Sequence, residues 1–289
     1  MDEQSKTYTL EVKRIVVALD ASTDSLAALR SAAVIAAALE AELVGLFVED
    51  ENLVRFAGLP FAREYQRATG RNRSVDPPDI EKDMSLQAAR ARRALAEIAR
   101  QAEARWRFEV VRGAVTQEIL KAGMEADLLS LGRTSRPLFR GLRLGSTARE
   151  AIGRSAQSIF LARSGGDGGG PIHVIFDGSP AGMRALVAAA RIARINDTSL
   201  TVLLPPDGGE NGETAADLAE QVQELIGGQE EGPDIEVHKL PAGGEQGLQD
   251  NVKEAACSLL VLSGSSAVFV GASLEDLLEV LTCPVMVVR

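Results

Sequence analysis

The sequence predicts an α/β protein of two tandem domains, each a five-stranded parallel sheet flanked by helices. Three observations predict it. Short apolar runs alternate with segments of helical period, and the whole order occurs twice. Between the copies lies "SGGDGGG", residues 164–170, a flexible linker by composition. The chain's 289 residues suit two domains, read as 1–163 and 171–289.

In the first copy "KRIVVALD" (13–20) is too short for a buried helix and reads as strand 1. "STDSLAALRSAAVIAAALEA" (22–41) has the helical period, with Ser22 or Thr23 as N-cap. "ELVGLFVED" is strand 2. The mixed segment 51–80 follows, where Gly58, Pro60, Pro77 and Pro78 interrupt any long helix. "EKDMSLQAARARRALAEIARQAEAR" is a strong helix, "WRFEVVRG" strand 3, "AVTQEILKAGMEA" a helix and "DLLSLG" strand 4. A loop rich in arginine comes next, then a helix over Ser146–Gly153 and strand 5, "SIFLAR".

The second copy runs in the same order. Its strands are "PIHVIFDGS", "SLTVLLP", "PDIEVHKLP", "SLLVLSG" and "PVMVVR". Its helices are "PAGMRALVAAARIARI", "ETAADLAEQVQELIGG", "EQGLQDNVKEAA" and "ASLEDLLEVL". "VVALDAS" aligns with "VIFDGS" through Asp20 and Asp177, and "DLLSLGRTS" aligns with "SLLVLSGSS". The offset falls from 157 to 131 between those points, so the second copy is shorter by 26 residues and lacks the 50–80 segment.

Charge is uneven. The net −10 divides into +3 over residues 1–163 and −13 over 164–289. The first half can attract an anion and the second repels one. The N-terminus is charged rather than apolar, and glutamates break the longest apolar runs, so neither a leader nor a membrane span is expected. Cys257 and Cys283 form no CxxC and lie far in sequence from His173 and His238, so two free buried thiols in a cytoplasmic protein are expected, and no metal. The basic helix "ARARRALAEIAR" (89–100) reads as a solvent face. Nucleic-acid binding wants more basic surface and more aromatics than 4%.

Parallel strands with right-handed crossovers place ligands at the carboxyl ends of the strands, where strand order reverses. Asp20 ends strand 1 there. Gly132 ends strand 4 there and opens "LGRTSRPLFRGLRLGSTARE" (131–150), which carries Arg133, Arg136, Arg140 and Arg143. Gly132-x-x-Ser135, nine residues, then Gly145-Ser146 resembles the nucleotide loop of the universal stress protein family, whose motif is G-x-x-G, nine residues, G, then Ser or Thr. "VALDAS", "VIFDGS", "ADLLSLGR" and "CPVMVVR" resemble the family's strand ends, so the likeness covers nearly the whole chain twice.

The resemblance implies Rossmann-like domains of the adenine nucleotide alpha hydrolase-like type. It also implies a stress-response sensor, with ATP and magnesium in the first domain. Asp20 and the neighbourhood of Val48 would line the adenosine part. Gly132, Ser135, Gly145, Ser146 and Thr147 would cradle phosphates, and Arg133 and Arg136 would close over them. Ser135 departs from the motif by adding a Cβ where glycine is usual. The second copy departs further: Ser263 stands in place of the first glycine, Gly271-Ala272 in place of Gly-Ser, and its loop has no arginine. That half is expected to bind no nucleotide. The family also implies pairing through the last strands. Here "SIFLAR" with "PVMVVR" would make an internal pseudo-dimer, with a homodimer of tandem chains as a further state. The segment 50–80 is a candidate lid or protein-partner surface. No general base or nucleophile stands out, so an enzyme is not expected beyond weak ATP hydrolysis. The alternative is a nucleotide-free interaction scaffold.

Overall fold

The computed structural model describes residues 12–20, 22–59, 63–66, 71–74, 76–133, 144–164, 170–206, 209, 212–226, 232–240, 257–264, 274, 278 and 281–289. The first half runs β1 (Arg14–Ala18), α1 (Thr23–Ala38), β2 (Glu42–Asp50), α2 (Glu51–Ala57), β3 (Arg63–Gln66), β4 (Arg71–Ser74) and α3 (Pro77–Gln101). It continues through β5 (Trp106–Gly113), α4 (Val115–Gly123), β6 (Leu128–Gly132), α5 (Ser146–Arg154) and β7 (Ser158–Ala162). The second half holds β8 (Ile172–Ile175), α6 (Pro180–Ile195), β9 (Leu200–Leu204), α7 (Ala215–Ile226), β10 (Ile235–Lys239), β11 (Leu259–Ser263) and β12 (Val285–Val288). The expected helices at 245–256 and 272–281 fall largely outside the described residues.

Ten strands form one sheet in the order β10-β9-β8-β11-β12-β7-β6-β1-β2-β5. Reading outward from the middle, each half shows the same order of five, and all pairs within a half are parallel. Such a sheet is covered on both faces, which is why its strands are apolar throughout. β7 and β12 meet antiparallel, with Ile159 opposite Val287 and Leu161 opposite Val285. The internal pseudo-dimer is therefore one continuous sheet.

The helices cover both faces, and each face's core runs through both halves. One core joins Ala28, Leu29 and Ala32 of α1 to Leu186 and Ala189 of α6. The other joins Leu129 and Leu161 to Leu260 and Val287. Two arginines repeat the pseudo-symmetry just past the central strands. Arg163 donates to the Leu281 carbonyl (3.3 Å), and Arg289 donates to the Ile152 carbonyl.

Local signals account for the helix starts. Ser22 caps α1 by accepting from the Ser25 N–H, and Ser179 caps α6 by accepting from the Gly182 N–H. The segment 51–80 differs from expectation. Asp50 caps a short α2 through the Asn52 N–H (2.9 Å), and an antiparallel β3–β4 hairpin follows, with Arg63 opposite Ser74. Pro77 and Pro78 do not interrupt a helix; they begin α3, where a missing N–H costs nothing.

Candidate functional site

β1 lies between β2 and β6. The chain leaves β1 toward β2 on one side and β6 toward β7 on the other, so the connections diverge and leave a crevice at the carboxyl ends of β1 and β6. A cleft of about 470 Å³ occupies that place. Asp20 and Val48 line it from the ends of β1 and β2, Gly132 from β6, and Thr147 from the first turn of α5. Four of the sequence-derived residues thus converge.

Each is held by a local device. The Asp20 carboxylate accepts from the Ser22 N–H (2.9 Å), fixing the turn into α1. Gly132 runs so close to α1 that a Cβ there would stand 2.7 Å from the Ser25 main-chain nitrogen. The Thr147 hydroxyl shares a hydrogen bond with Thr116 of α4 (3.0 Å). Gly145 is the N-cap of α5 and Ser146 its first residue. Among the described residues no side chain caps this helix, unlike α1 and α6, which leaves its first N–H groups for another acceptor. The Gly145 N–H donates to the Arg133 carbonyl (2.9 Å), so the intervening loop leaves and returns at one point.

Arg133 is placed otherwise than the resemblance implied. It does not line the cleft. It is 3% exposed, and its guanidinium donates to the Leu281 carbonyl (2.5 Å) and to the Leu278 carbonyl. The β7–β12 junction carries those second-half carbonyls to the end of β6, and a buried guanidinium takes acceptors at hand. Ser135 and Arg136, with Arg140 and Arg143, lie outside the described residues.

The opposite wall comes partly from the 50–80 segment, a candidate lid or partner surface in the sequence, and partly from α3 residues beyond it that the sequence did not single out. Asp50 and Leu53 come from the β2–α2 junction, and Ile80, Asp83, Met84 and Gln87 from α3. The four α3 residues fall at helical spacing and so mark one face. Their pattern gives no partner for that face. Asp20, Asp50 and Asp83 make the described cleft acidic on this side. The α5 end is its electropositive side.

The model of the universal stress protein family matches residues 11–163 and, a second time, residues 170–289. The chain belongs to the universal stress protein family. Among solved structures it is similar to a universal stress protein from Archaeoglobus fulgidus, at 18% identity and a TM-score of 0.69, with 98% of each chain covered. It is also similar to a putative universal stress protein from Pseudomonas aeruginosa, at 16% identity and a TM-score of 0.59, covering 96% of this chain and 94% of that one. At these identities the likeness shows the fold. No curated protein matches the chain.

In the second universal stress protein domain the place of Asp20 is closed. Asp177 is 2% exposed, and its carboxylate accepts from the Ser179 N–H (3.1 Å) and hydroxyl (2.6 Å). Gly182 sits so near that a Cβ would come 2.3 Å from Asp177 Oδ1. Gly178 adopts φ +75°, and the Glu213 carboxylate lies against both it and Gly209. Buried Ser263 stands where the first domain has Gly132. The counterpart of the arginine loop lies outside the described residues.

Proposed function

We propose that the first domain binds an adenine nucleotide, ATP with magnesium. On this reading the protein works in the cytoplasm as a stress-response regulator whose partner preference follows nucleotide occupancy. The observation that carries the reading is the cleft at the strand-order reversal, which ends on the uncapped first turn of α5. Its polarity suits such a ligand in one orientation. Phosphates belong at the α5 end, against free N–H groups, with the arginines of 134–143 to close over them. The ribose hydroxyls and the adenine amino group are donors, and they suit the carboxylates of Asp20 and Asp50. Val48, Leu53 and Met84 supply apolar surface for the base.

We assign the role to binding, not turnover, and the second domain to structural support without nucleotide. The sealed Asp177, the neighbouring Glu213 and a net charge of −13 over residues 164–289 all oppose an anion there.

Calorimetry with ATP and magnesium tests this, beside Gly145→Asp. Gly145 has φ −68° and ψ 155°, which any residue can adopt. Aspartate is also a good N-cap, so α5 keeps its start while a carboxylate fills the anion position. The expected result is roughly micromolar binding at about one site per chain, lost in the variant. Absence of heat up to millimolar ATP would overturn the reading and leave the nucleotide-free scaffold.

A further inference from the structure

β5 is paired along one side. β2 lies beside it, and among the described residues no strand lies on its other side. The Leu43 N–H donates to the Arg105 carbonyl (2.9 Å), with Leu43 opposite Trp106. In a parallel ladder this turns the main-chain groups of Arg107, Glu109 and Val111 toward β2. Those of Trp106, Phe108 and Val110 then point away from the sheet. The side chains of these same three residues line an open groove of about 770 Å³ against α3, where Ala88, Ala89 and Ala96 leave room. Trp106 is 37% exposed and Val110 48%.

Arg92 and Arg93 of α3 also line this groove, exposed and without an ion pair among the described residues. Their neighbours are engaged: Arg100 with Glu97, and Arg107 with Glu42 and Glu109. The groove therefore combines a row of unpaired main-chain donors and acceptors, an apolar floor and two uncompensated positive charges.

We propose that this edge docks an extended acidic peptide segment of another protein, added beside β5 as an eleventh strand. From the one face of that strand turned toward α3, apolar side chains would enter the groove and carboxylates would pair with Arg92 and Arg93. Charge complementarity selects the occupant. A second copy joined β5 to β5 about a two-fold axis normal to the sheet would bring both pairs of arginines together, which opposes that dimer. A nucleic acid would leave the alternating main-chain groups unused. The inference does not depend on nucleotide in the first domain.

Trp106 is the chain's one tryptophan, so its emission reads this groove in the intact protein without a label. The probe is a capped octapeptide with valine and glutamate in turn at every second position and threonine between them, so that both face α3, with glutamine and lysine in place of glutamate in two versions beside it. The acidic peptide is expected to shift the emission to the blue and saturate, and the lysine version to leave it unchanged. Arg92→Glu with Arg93→Glu is expected to weaken binding about tenfold or more. Val110→Pro keeps every charge and removes one outward N–H, a substitution an edge strand tolerates; it is expected to abolish the shift. Thermal melting shows that both variants fold. The proposal is overturned by unchanged emission up to millimolar peptide, by equal binding of the lysine peptide, or by full binding in Val110→Pro. It is equally overturned by an emission shift that follows an oligonucleotide, or protein concentration alone, in place of the acidic peptide.

Discussion

At the scale of single residues, Gly132 and Arg133 are neighbours with unrelated reasons. Gly132 is glycine because β6 ends against the main chain of α1. Alanine would bring its Cβ to 2.7 Å from the Ser25 nitrogen, with backbone that cannot swing aside. Gly132→Ala is expected to cost about 1–3 kcal/mol, the usual penalty of overpacking, seen as a lower Tm without any ligand. Arg133 ties the end of β6 to Leu278 and Leu281 of the other half. Arg133→Met removes charge-assisted bonds and strands two carbonyls, so a loss of about 2–4 kcal/mol is expected from denaturant titration. The cleft-lining places of Asp20, Val48 and Gly132 were legible in the sequence because strands end there, and that of Thr147 because a helix was expected from Ser146. The partner of Arg133 was not, because it lies 148 residues away and no local pattern encodes it. The cysteines are both free and buried. The neighbouring Cys283 thiol and burial push the Cys257 thiol up, while Cys257 and the Arg133 charge lower that of Cys283. Burial is expected to keep a thiol reagent from both until denaturant is added.

At the scale of elements, the strands and the long helices were readable because their periods differ and their lengths suffice. The β3–β4 hairpin was not: "REYQ" and "RNRS" lack the alternation that marks a half-buried strand. The start of α3 was misread for another reason, since proline breaks a helix inside and favours it at the first turn. β8 carries a titratable group within the sheet. His173 is fully buried, and desolvation first, then the charge of His238, lowers its pKa below 6.5, opposed by the Pro171 carbonyl. As pH falls, the unfolded chain takes up this proton before the folded one does. This contribution is therefore fully present above about pH 6.5 and is lost as pH falls toward the folded pKa. Urea midpoints measured from pH 7 downward are expected to fall, and to fall less in His173→Met.

At the scale of the whole molecule, the decisive contact is the antiparallel β7–β12 seam. The family resemblance, with "SIFLAR" and "PVMVVR" as the last strands of the two copies, implied that pairing, while the second-half acceptors reached by Arg133 and Arg163 were visible only in three dimensions. Residues 1–163 made alone would leave β7 as a bare apolar edge. That fragment is expected to pair with itself through β7, read as a twofold mass in sedimentation; Ile159→Lys is expected to prevent it.

The seam also removes a dependence that separate subunits carry. Two free copies meet only as often as their abundance allows, and they part on dilution. Here seven residues, 164–170, join the partners, so the local concentration of one at the other is of millimolar order whatever the cell makes. The pairing is indifferent to expression level. A substitution in one partner is also not copied across an axis into the other. Each half has drifted by itself while the pair stayed together, which is how Asp20 and Asp177, equivalent by descent of the repeat, have come to face a cleft in one half and a closed interior in the other.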